Sequence, residues 1–131
     1  MAKKILFVDD EPYVVMLMQR RIEHAGYTVI TAANAQEGLT KAKKEKPDLI
    51  VIDYGMPQMN GLQMCTQLKD DPDTKEINVI AYTANTQKGI EENFLKVGAI
   101  GIVYKPLVAE LLTLIKRVLA GEKIDWAEYQ P

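Results

Sequence analysis

Acidic, hydroxyl and amine side chains stand at four places in the chain where a short apolar run ends. Asp9 and Asp10 follow the first of these runs, Asp53 follows another, and two more are followed by Thr83 and by Lys105. Clustered carboxylates repel one another, and an all-oxygen set of ligands suits a hard divalent cation such as Mg²⁺. Beside such a cation, one carboxylate can attack phosphorus and form an aspartyl phosphate. The residue types therefore predict a magnesium-dependent site for phosphoryl transfer.

Asp53 is the best candidate for the nucleophile. It follows the wholly apolar run 49–52 and precedes the turn Tyr-Gly-Met-Pro at 54–57, which would hold it at the edge of a sheet. Thr83 can offer a hydroxyl and Lys105 an ammonium group to the phosphoryl oxygens. Taken singly, each residue has a simpler explanation, such as a helix cap or a surface charge. Their joint occurrence at the ends of different strands favours a site.

The elements that must position these residues follow from the hydrophobic pattern. Five short apolar runs, rich in β-branched residues, are predicted as strands at 5–8, 29–33, 49–52, 79–81 and 100–103. Between them, apolar residues recur with the period of a helix, so the pattern is (βα)5. Strands joined by helices pair in parallel through right-handed crossovers. The prediction is an α/β fold: a doubly wound, five-stranded parallel sheet in a three-layer sandwich, with its ligand crevice at the carboxyl ends of the strands.

Length, charge and composition exclude several classes of function. The chain has 131 residues, of which 47% are hydrophobic and 26% charged, with a net charge of -2. This size predicts one domain, and the charge gives no field that would favour direct binding of nucleic acid or of a membrane. No apolar run approaches the ~18 residues of a membrane span, so we expect a cytoplasmic protein. The single Cys65 and single His24 exclude an internal disulfide and a zinc cluster built from these residues.

Four motifs carry a resemblance to a known family. They are VDDE at 8–11, DLIVIDYGMPQMNG at 48–61, AYTA at 81–84 and GAIGIVYKP at 98–106. In order and spacing the sequence resembles the receiver domain of two-component response regulators, of the single-domain chemotaxis type, from residue 3 to about residue 120. This resemblance implies a flavodoxin-like sheet with strand order 2-1-3-4-5. We expect a receiver domain at 1–121 and a tail at 122–131, whose Ile124, Trp126 and Tyr129 pack back on the domain.

The resemblance also implies roles for the site residues. Asp53 would be the phosphoacceptor. The Mg²⁺ ligands would be Asp10, Asp9 through a water molecule, Asp53 and the backbone carbonyl of Gly55. The phosphoryl group would be held by Thr83, the Ala84 amide and Lys105, with a cis peptide bond before Pro106. Such a domain takes its phosphoryl group from a sensor histidine kinase, a histidine phosphotransfer protein or a small phosphodonor and later hydrolyses it, so it is a switch and not a turnover enzyme.

One position departs from the family pattern. In the family, the switch threonine, here Thr83, moves toward the phosphoryl group while an aromatic residue three positions before the lysine turns inward. That position is Ile102 in this chain. Tyr104 lies two residues further on and points to the same side of the strand, so it either substitutes for the aromatic residue or covers the edge of the core. Ile102 is the feature that favours the alternative function, a protein-interaction module with the receiver fold that works without phosphorylation.

Other classes with a similar architecture fit the sequence less well. A flavodoxin-like redox protein needs a phosphate-binding loop after the first strand, where this chain has Asp-Asp-Glu, and no glycine-rich dinucleotide motif follows any strand. A haloacid-dehalogenase-type phosphatase needs a D-x-D arrangement, which Asp9-Asp10 does not provide. The output stays open at this point. The domain either acts alone or belongs to a longer regulator, as a monomer or as a dimer that phosphorylation promotes, and its target is unknown.

Overall fold

Strands and helices alternate along the chain. The computed structural model describes residues 2–125. The strands are β1 (Lys4–Val8), β2 (Thr28–Ala32), β3 (Leu49–Ile52), β4 (Asn78–Thr83) and β5 (Gly101–Tyr104). The helices are α1 (Pro12–His24), α2 (Ala35–Glu45), α3 (Gly61–Asp70), α4 (Ile90–Lys96) and α5 (Val108–Leu119). The predicted (βα)5 order is therefore confirmed.

The strands form one parallel sheet in the order β2-β1-β3-β4-β5. Val8 pairs with Ala32 on one side and with Ile52 on the other, and Thr83 pairs with Tyr104. The last residues of the strands thus lie along the same edge of the sheet. The order of connections reverses between β1 and β3, which is where ligands bind in sheets of this kind. The predicted fold class and strand order are both confirmed.

Each face of the sheet has its own apolar core. One core packs α2, α3 and α4 against alternate strand residues such as Leu6, Ile50 and Ile102. The other packs α1 and α5 against the residues between them, such as Phe7 and Val51. Every residue of β3 is fully buried, as expected for a central parallel strand covered on both faces. We call these the α2–α4 layer and the α1–α5 layer.

The strand bounds differ slightly from those predicted from hydrophobicity. β4 extends two residues beyond the predicted end at Ala81 and ends at Thr83, which the ladder pairs with Tyr104. β2 ends at Ala32, and Ala33 leaves the ladder because its N–H donates to the Glu37 carboxylate at 2.8 Å, at the start of α2. Hydrogen-bonding partners, which a hydrophobic pattern does not report, decide where these strands end.

The C-terminal part of the described chain follows α5. Ile124 is half-buried and packs against the α1–α5 layer, as expected. Trp126 and Tyr129, for which the same packing was predicted, lie outside the described residues. The division into a domain at 1–121 and a tail at 122–131 stays a prediction. None of the helices within residues 2–125 combines the length and the apolar character that a membrane span requires.

Candidate functional site

Three carboxylates meet at the carboxyl-terminal edge of the sheet. One oxygen from each of Asp9, Asp10 and Asp53 lies within 4.8 Å of the others. Asp9 and Asp53 are buried, with exposed fractions of 1% and 6%, and Asp10 is half-buried. Burial of two carboxylates so close together is unfavourable unless cations or hydrogen bonds compensate it. The predicted acidic cluster is therefore present in the fold.

The sheet itself places the two buried carboxylates. The Asp9 N–H donates to the Ala32 carbonyl at 3.1 Å, and the Asp53 N–H donates to the Val8 carbonyl at 3.0 Å. Each backbone thus continues the ladder for one residue beyond its strand. The Asp9 carboxylate also accepts a hydrogen bond from the Glu11 N–H at 3.0 Å, which turns the chain into α1. Asp9 and Asp53 owe their positions to strand pairing, which the sequence pattern predicted.

The loop after β3 closes tightly around Asp53. The Gly61 N–H donates to the Tyr54 carbonyl at 2.9 Å, so the loop returns to its starting point. Asn60 then begins α3 with a capping box, in which its side chain and that of Gln63 each accept a backbone N–H. A Cβ atom on Gly61 would overlap the Asp53 carbonyl oxygen. The absence of a side chain at Gly61 lets α3 start directly beneath the nucleophile candidate.

Lys105 is the cation that faces the cluster. Its Nζ donates to Asp9 Oδ2 at 2.8 Å and lies 3.5 Å from Asp53 Oδ2, with 13% of its side chain exposed. Its backbone N–H donates to the Thr83 carbonyl at 2.9 Å, which ties the end of β5 to the end of β4. The expected cis peptide bond between Lys105 and Pro106 is present. The sequence separates Lys105 from Asp9 by 96 positions, and the sheet brings the two together.

The electrostatics of the site leave an excess of negative charge. Burial raises the pKa of Asp53, and the charge of Asp9 raises it further. Lys105, a hydrogen bond from Thr83 and a hydrogen bond from the Gly55 backbone lower this pKa, but the net shift is upward. Burial lowers the pKa of Lys105, yet the hydrogen bond to Asp9 and the charge of Asp53 outweigh burial and raise it. Lys105 therefore stays protonated, and among residues 2–125 one ammonium faces three carboxylates.

The residues on the β4 side of the cluster lie where the sequence placed them. Thr83 is buried at the end of β4, and its hydroxyl oxygen accepts a hydrogen bond from the Asn85 N–H at 3.2 Å. Ala84 follows it directly and is exposed, as is Gly55 in the loop after β3. The Asn85 side chain accepts a hydrogen bond from the Gln87 N–H at 2.9 Å. None of Gly55, Ala84 and Asn85 therefore brings a charged side chain to the site.

Ile102 and Tyr104 face the α2–α4 layer, as predicted from strand alternation. Ile102 is 2% exposed and belongs to the apolar core. The Tyr104 ring packs on the same core, and its hydroxyl donates to Glu91 Oε2 on α4 at 2.9 Å. Burial and the neighbouring Glu91 raise the pKa of Tyr104 to about 12. Tyr104 is therefore a neutral hydrogen-bond donor that connects β5 with α4.

Sequence reasoning missed two residues around the site. One is Glu91, the partner of Tyr104. The other is Tyr82, whose ring centroid lies 6.0 Å from the Lys105 ammonium. Neither residue carries a signal in the sequence, because an acid early in a helix and an aromatic residue in a strand are both common.

Comparisons with known proteins agree with this geometry. Residues 5–117 match the family model of the response regulator receiver domain. The chain is 36% identical to the polar-differentiation response regulator DivK of Brucella anthropi, over 91% of this chain and 98% of DivK. It is 38% identical to the alkaline phosphatase synthesis transcriptional regulatory protein PhoP of Bacillus subtilis, over 95% of this chain but only 51% of PhoP. The chain thus spans about half the length of PhoP.

Comparison with solved structures indicates the same family. The chemotaxis protein CheY4 of Vibrio cholerae superposes with a TM-score of 0.84 at 31% identity, over 90% of this chain and 99% of CheY4. The chain belongs to the response regulator receiver domain family of two-component systems. Members of this family interact with histidine kinases or phosphotransfer proteins and typically bind Mg²⁺ at an acidic pocket.

Proposed function

We propose that this domain accepts a phosphoryl group on Asp53 from phosphohistidine, with Mg²⁺ as cofactor, and thereby switches its binding to a partner. One observation carries the proposal: the carboxylates of Asp9, Asp10 and Asp53 converge within 4.8 Å beside the ammonium of Lys105. A domain that only bound other proteins would gain no stability from burying these charges together.

In the proposed reaction, an Asp53 carboxylate oxygen attacks the phosphorus of the donor. An O–P bond to Asp53 forms, the N–P bond of phosphohistidine breaks, and the imidazole leaves with the electron pair of that bond. Three donors would hold the phosphoryl oxygens: the Thr83 hydroxyl, the Ala84 amide and the Lys105 ammonium. The short distance from Lys105 Nζ to Asp53 Oδ2, 3.5 Å, supports the role of the ammonium. Water later attacks the same phosphorus and returns Asp53 to a carboxylate.

The donor set fits a hard divalent cation. All three clustered side chains offer oxygen, and the one ammonium that the described part of the chain places beside them does not balance three negative charges. Asp10 and Asp53 would hold Mg²⁺ directly, Asp9 through water, and the Gly55 carbonyl would complete the protein ligands. When bound, Mg²⁺ supplies charge neutralisation between the carboxylates and the incoming phosphoryl oxygens.

The surface around the site supports docking of a protein donor. Exposed large apolar side chains occur on α1, where Tyr13, Met16 and Leu17 are 70%, 50% and 38% exposed, and at Leu107, which is 39% exposed and follows the Lys105-Pro106 bond. A groove of about 310 Å³ runs from Asp9 and Asp10 along Met16. We propose that a sensor histidine kinase or a histidine phosphotransfer protein covers these side chains and presents its phosphohistidine to Asp53 in the cytoplasm.

The structural change caused by phosphorylation would be transmitted to the surface through the α2–α4 layer. Thr83 pairs with Tyr104 across the β4–β5 ladder, and Tyr104 donates to Glu91 on α4. A movement of Thr83 toward the phosphoryl group would act on the strand that carries Tyr104. In the family, an aromatic residue at the position of Ile102 turns inward when the switch threonine moves. We propose that Tyr104 has this role here, because Ile102 is buried and aliphatic.

Ile102 also favours a second candidate function, an interaction module that works without phosphorylation. Ile102 is buried in the apolar core and has no polar group that could change partners. This candidate predicts that partner binding by the surface of α4 and β5 is the same with and without a phosphoryl donor.

The test is the intact mass of the protein after incubation with Mg²⁺ and acetyl phosphate. We expect a gain of one phosphoryl group in the wild type and none in Asp53→Asn or without metal. Asp48→Asn is the matched control, because Asp48 is an exposed acid at the opposite end of the same strand. Its phosphorylation should equal that of the wild type. Failure of the wild type to gain mass, with phosphohistidine donors as well, would reject the proposal and leave the interaction module.

A further inference from the structure

Lys105 is held in the site by two carboxylates and by one aromatic ring. Its Nζ lies 2.8 Å from Asp9 Oδ2, 3.5 Å from Asp53 Oδ2 and 6.0 Å from the centroid of the Tyr82 ring. A lysine side chain is flexible and its head is strongly hydrated, so a fixed position requires surrounding groups. We infer that Tyr82 is a positioning residue that keeps the Lys105 ammonium beside Asp53 during phosphoryl transfer, an inference that rests on the proposed function.

The Tyr82 ring is itself held firmly. Tyr82 is 3% exposed and lies on β4, directly before Thr83. The ring of Phe7 packs against it with the centroids 6.4 Å apart and the planes at 59°. Burial raises the pKa of Tyr82, so the ring is a neutral phenol in ordinary buffers. The face of such a ring carries partial negative charge and attracts an ammonium within about 6 Å.

The ring differs from the carboxylates in one respect that matters for the reaction. Asp9 and Asp53 would share their oxygens between Lys105 and the proposed cation, and Asp53 would lose its charge to the new O–P bond. The Tyr82 ring offers no oxygen to the cluster from its face and takes no part in either change. It is therefore the neighbour of Lys105 that stays the same while the ammonium passes from the Asp53 carboxylate to a phosphoryl oxygen.

The first test compares two substitutions of Tyr82 in the acetyl phosphate assay. Tyr82→Phe retains the ring and should be phosphorylated within about twofold of the wild-type rate, whereas Tyr82→Leu should be slower by about three- to tenfold. If Tyr82 acts through Lys105, Tyr82→Leu should cause no further loss in a Lys105→Met background. Leu114→Ala is the control for core damage, because Leu114 is buried in the same α1–α5 layer and should lose stability without losing rate.

The second test needs neither metal nor phosphoryl donor. Chemical unfolding of the wild type, Tyr82→Leu, Lys105→Met and the double variant forms a cycle that isolates the interaction of ring and ammonium. We expect a coupling of about two- to fivefold in the unfolding equilibrium constant. Zero coupling, an unchanged rate in Tyr82→Leu, or an equal loss in Tyr82→Phe would each overturn the inference. If the wild type gains no phosphoryl group, the proposed function has failed, and the unfolding cycle still decides whether the ring holds Lys105.

Discussion

Gly61 offers a direct test of how the loop after β3 positions Asp53. In the substitution Gly61→Ala, the new Cβ would lie 2.9 Å from both the Asp53 carbonyl carbon and Ile52 Cγ2, where ordinary contact begins at 3.4 Å. The Asp53 carbonyl oxygen lies closer still to the new Cβ, so the backbone of Asp53 or the start of α3 must move by more than the 0.5 Å that separates 2.9 Å from 3.4 Å. The nearest atoms belong to the backbone, so no side-chain rotation can relieve the overlap.

The expected effects follow from this displacement. Overpacking of a well-filled site costs about 1–3 kcal/mol, and for a domain of this size each kcal/mol lowers the unfolding midpoint by roughly 3–5 °C. We expect the upper part of this range for Gly61→Ala, a fall of about 6–15 °C. A nucleophile displaced by a fraction of an ångström should also react at least about tenfold more slowly, since larger misplacements cost on the order of 100-fold.

The assays are thermal unfolding and the time course of phosphorylation by acetyl phosphate, followed by intact mass. Gly55→Ala is the matched control for stability, because Gly55 lies in the same loop and a Cβ there would meet no atom within 4 Å. Its unfolding midpoint should stay within about 2 °C of the wild type, the range of neutral surface substitutions. A Gly61→Ala variant that is as stable and as rapidly phosphorylated as the wild type would refute the reasoning.

Three further predictions concern charge, the contact between β5 and α4, and docking. The raised pKa of Asp53 means that the folded state binds a proton on this group more tightly than the unfolded chain does, so its ionised form destabilises the fold. Asp53→Asn should therefore be more stable than the wild type at neutral pH. It should lose this advantage as the pH falls through the raised pKa of folded Asp53 toward the ordinary value of 3.8, in denaturant unfolding at several pH values. Lower stability at neutral pH would contradict this prediction. Tyr104→Phe removes the hydrogen bond to Glu91, so it should lower the free energy of unfolding by about 1 kcal/mol and speed amide exchange in α4. Unchanged exchange would show that this bond does not hold the helix. Met16→Ser should slow transfer from a phosphohistidine protein by about fivefold or more, as expected for loss of one apolar contact, and leave transfer from acetyl phosphate unchanged; equal slowing with both donors would exclude a docking role.

Much of the architecture could be predicted because one physical signal carries it. A buried parallel strand must be apolar on both faces, so a continuous apolar run such as Leu49–Ile52 indicates a strand. The residues that follow such runs must lie at one edge of the sheet. This is why Asp9, Asp53 and Lys105 could be placed together although they are far apart in sequence. The fold class and the acidic cluster follow from that signal.

The contacts around the cluster could not be predicted in the same way. Tyr104 at the end of β5 donates to Glu91 on α4, and the Lys105 ammonium lies 6.0 Å from the centroid of the Tyr82 ring on β4. Such contacts depend on the angles between elements, which hydrophobic periodicity does not encode. The same limit applies to the end of β4 at Thr83, which is determined by its partner Tyr104 and not by its own polarity.

The two separate cores also bear on how this protein can diverge. The exposed apolar residues of α1 and Leu107 belong to the side of the sheet covered by α1 and α5, whereas Thr83, Ile102 and Tyr104 act on the opposite layer. The fully buried strand β3 lies between the two layers. Substitutions that retune recognition of a donor can therefore accumulate on one layer while the other keeps its response, and a duplicated copy of this chain could acquire a new upstream partner before it changed its target.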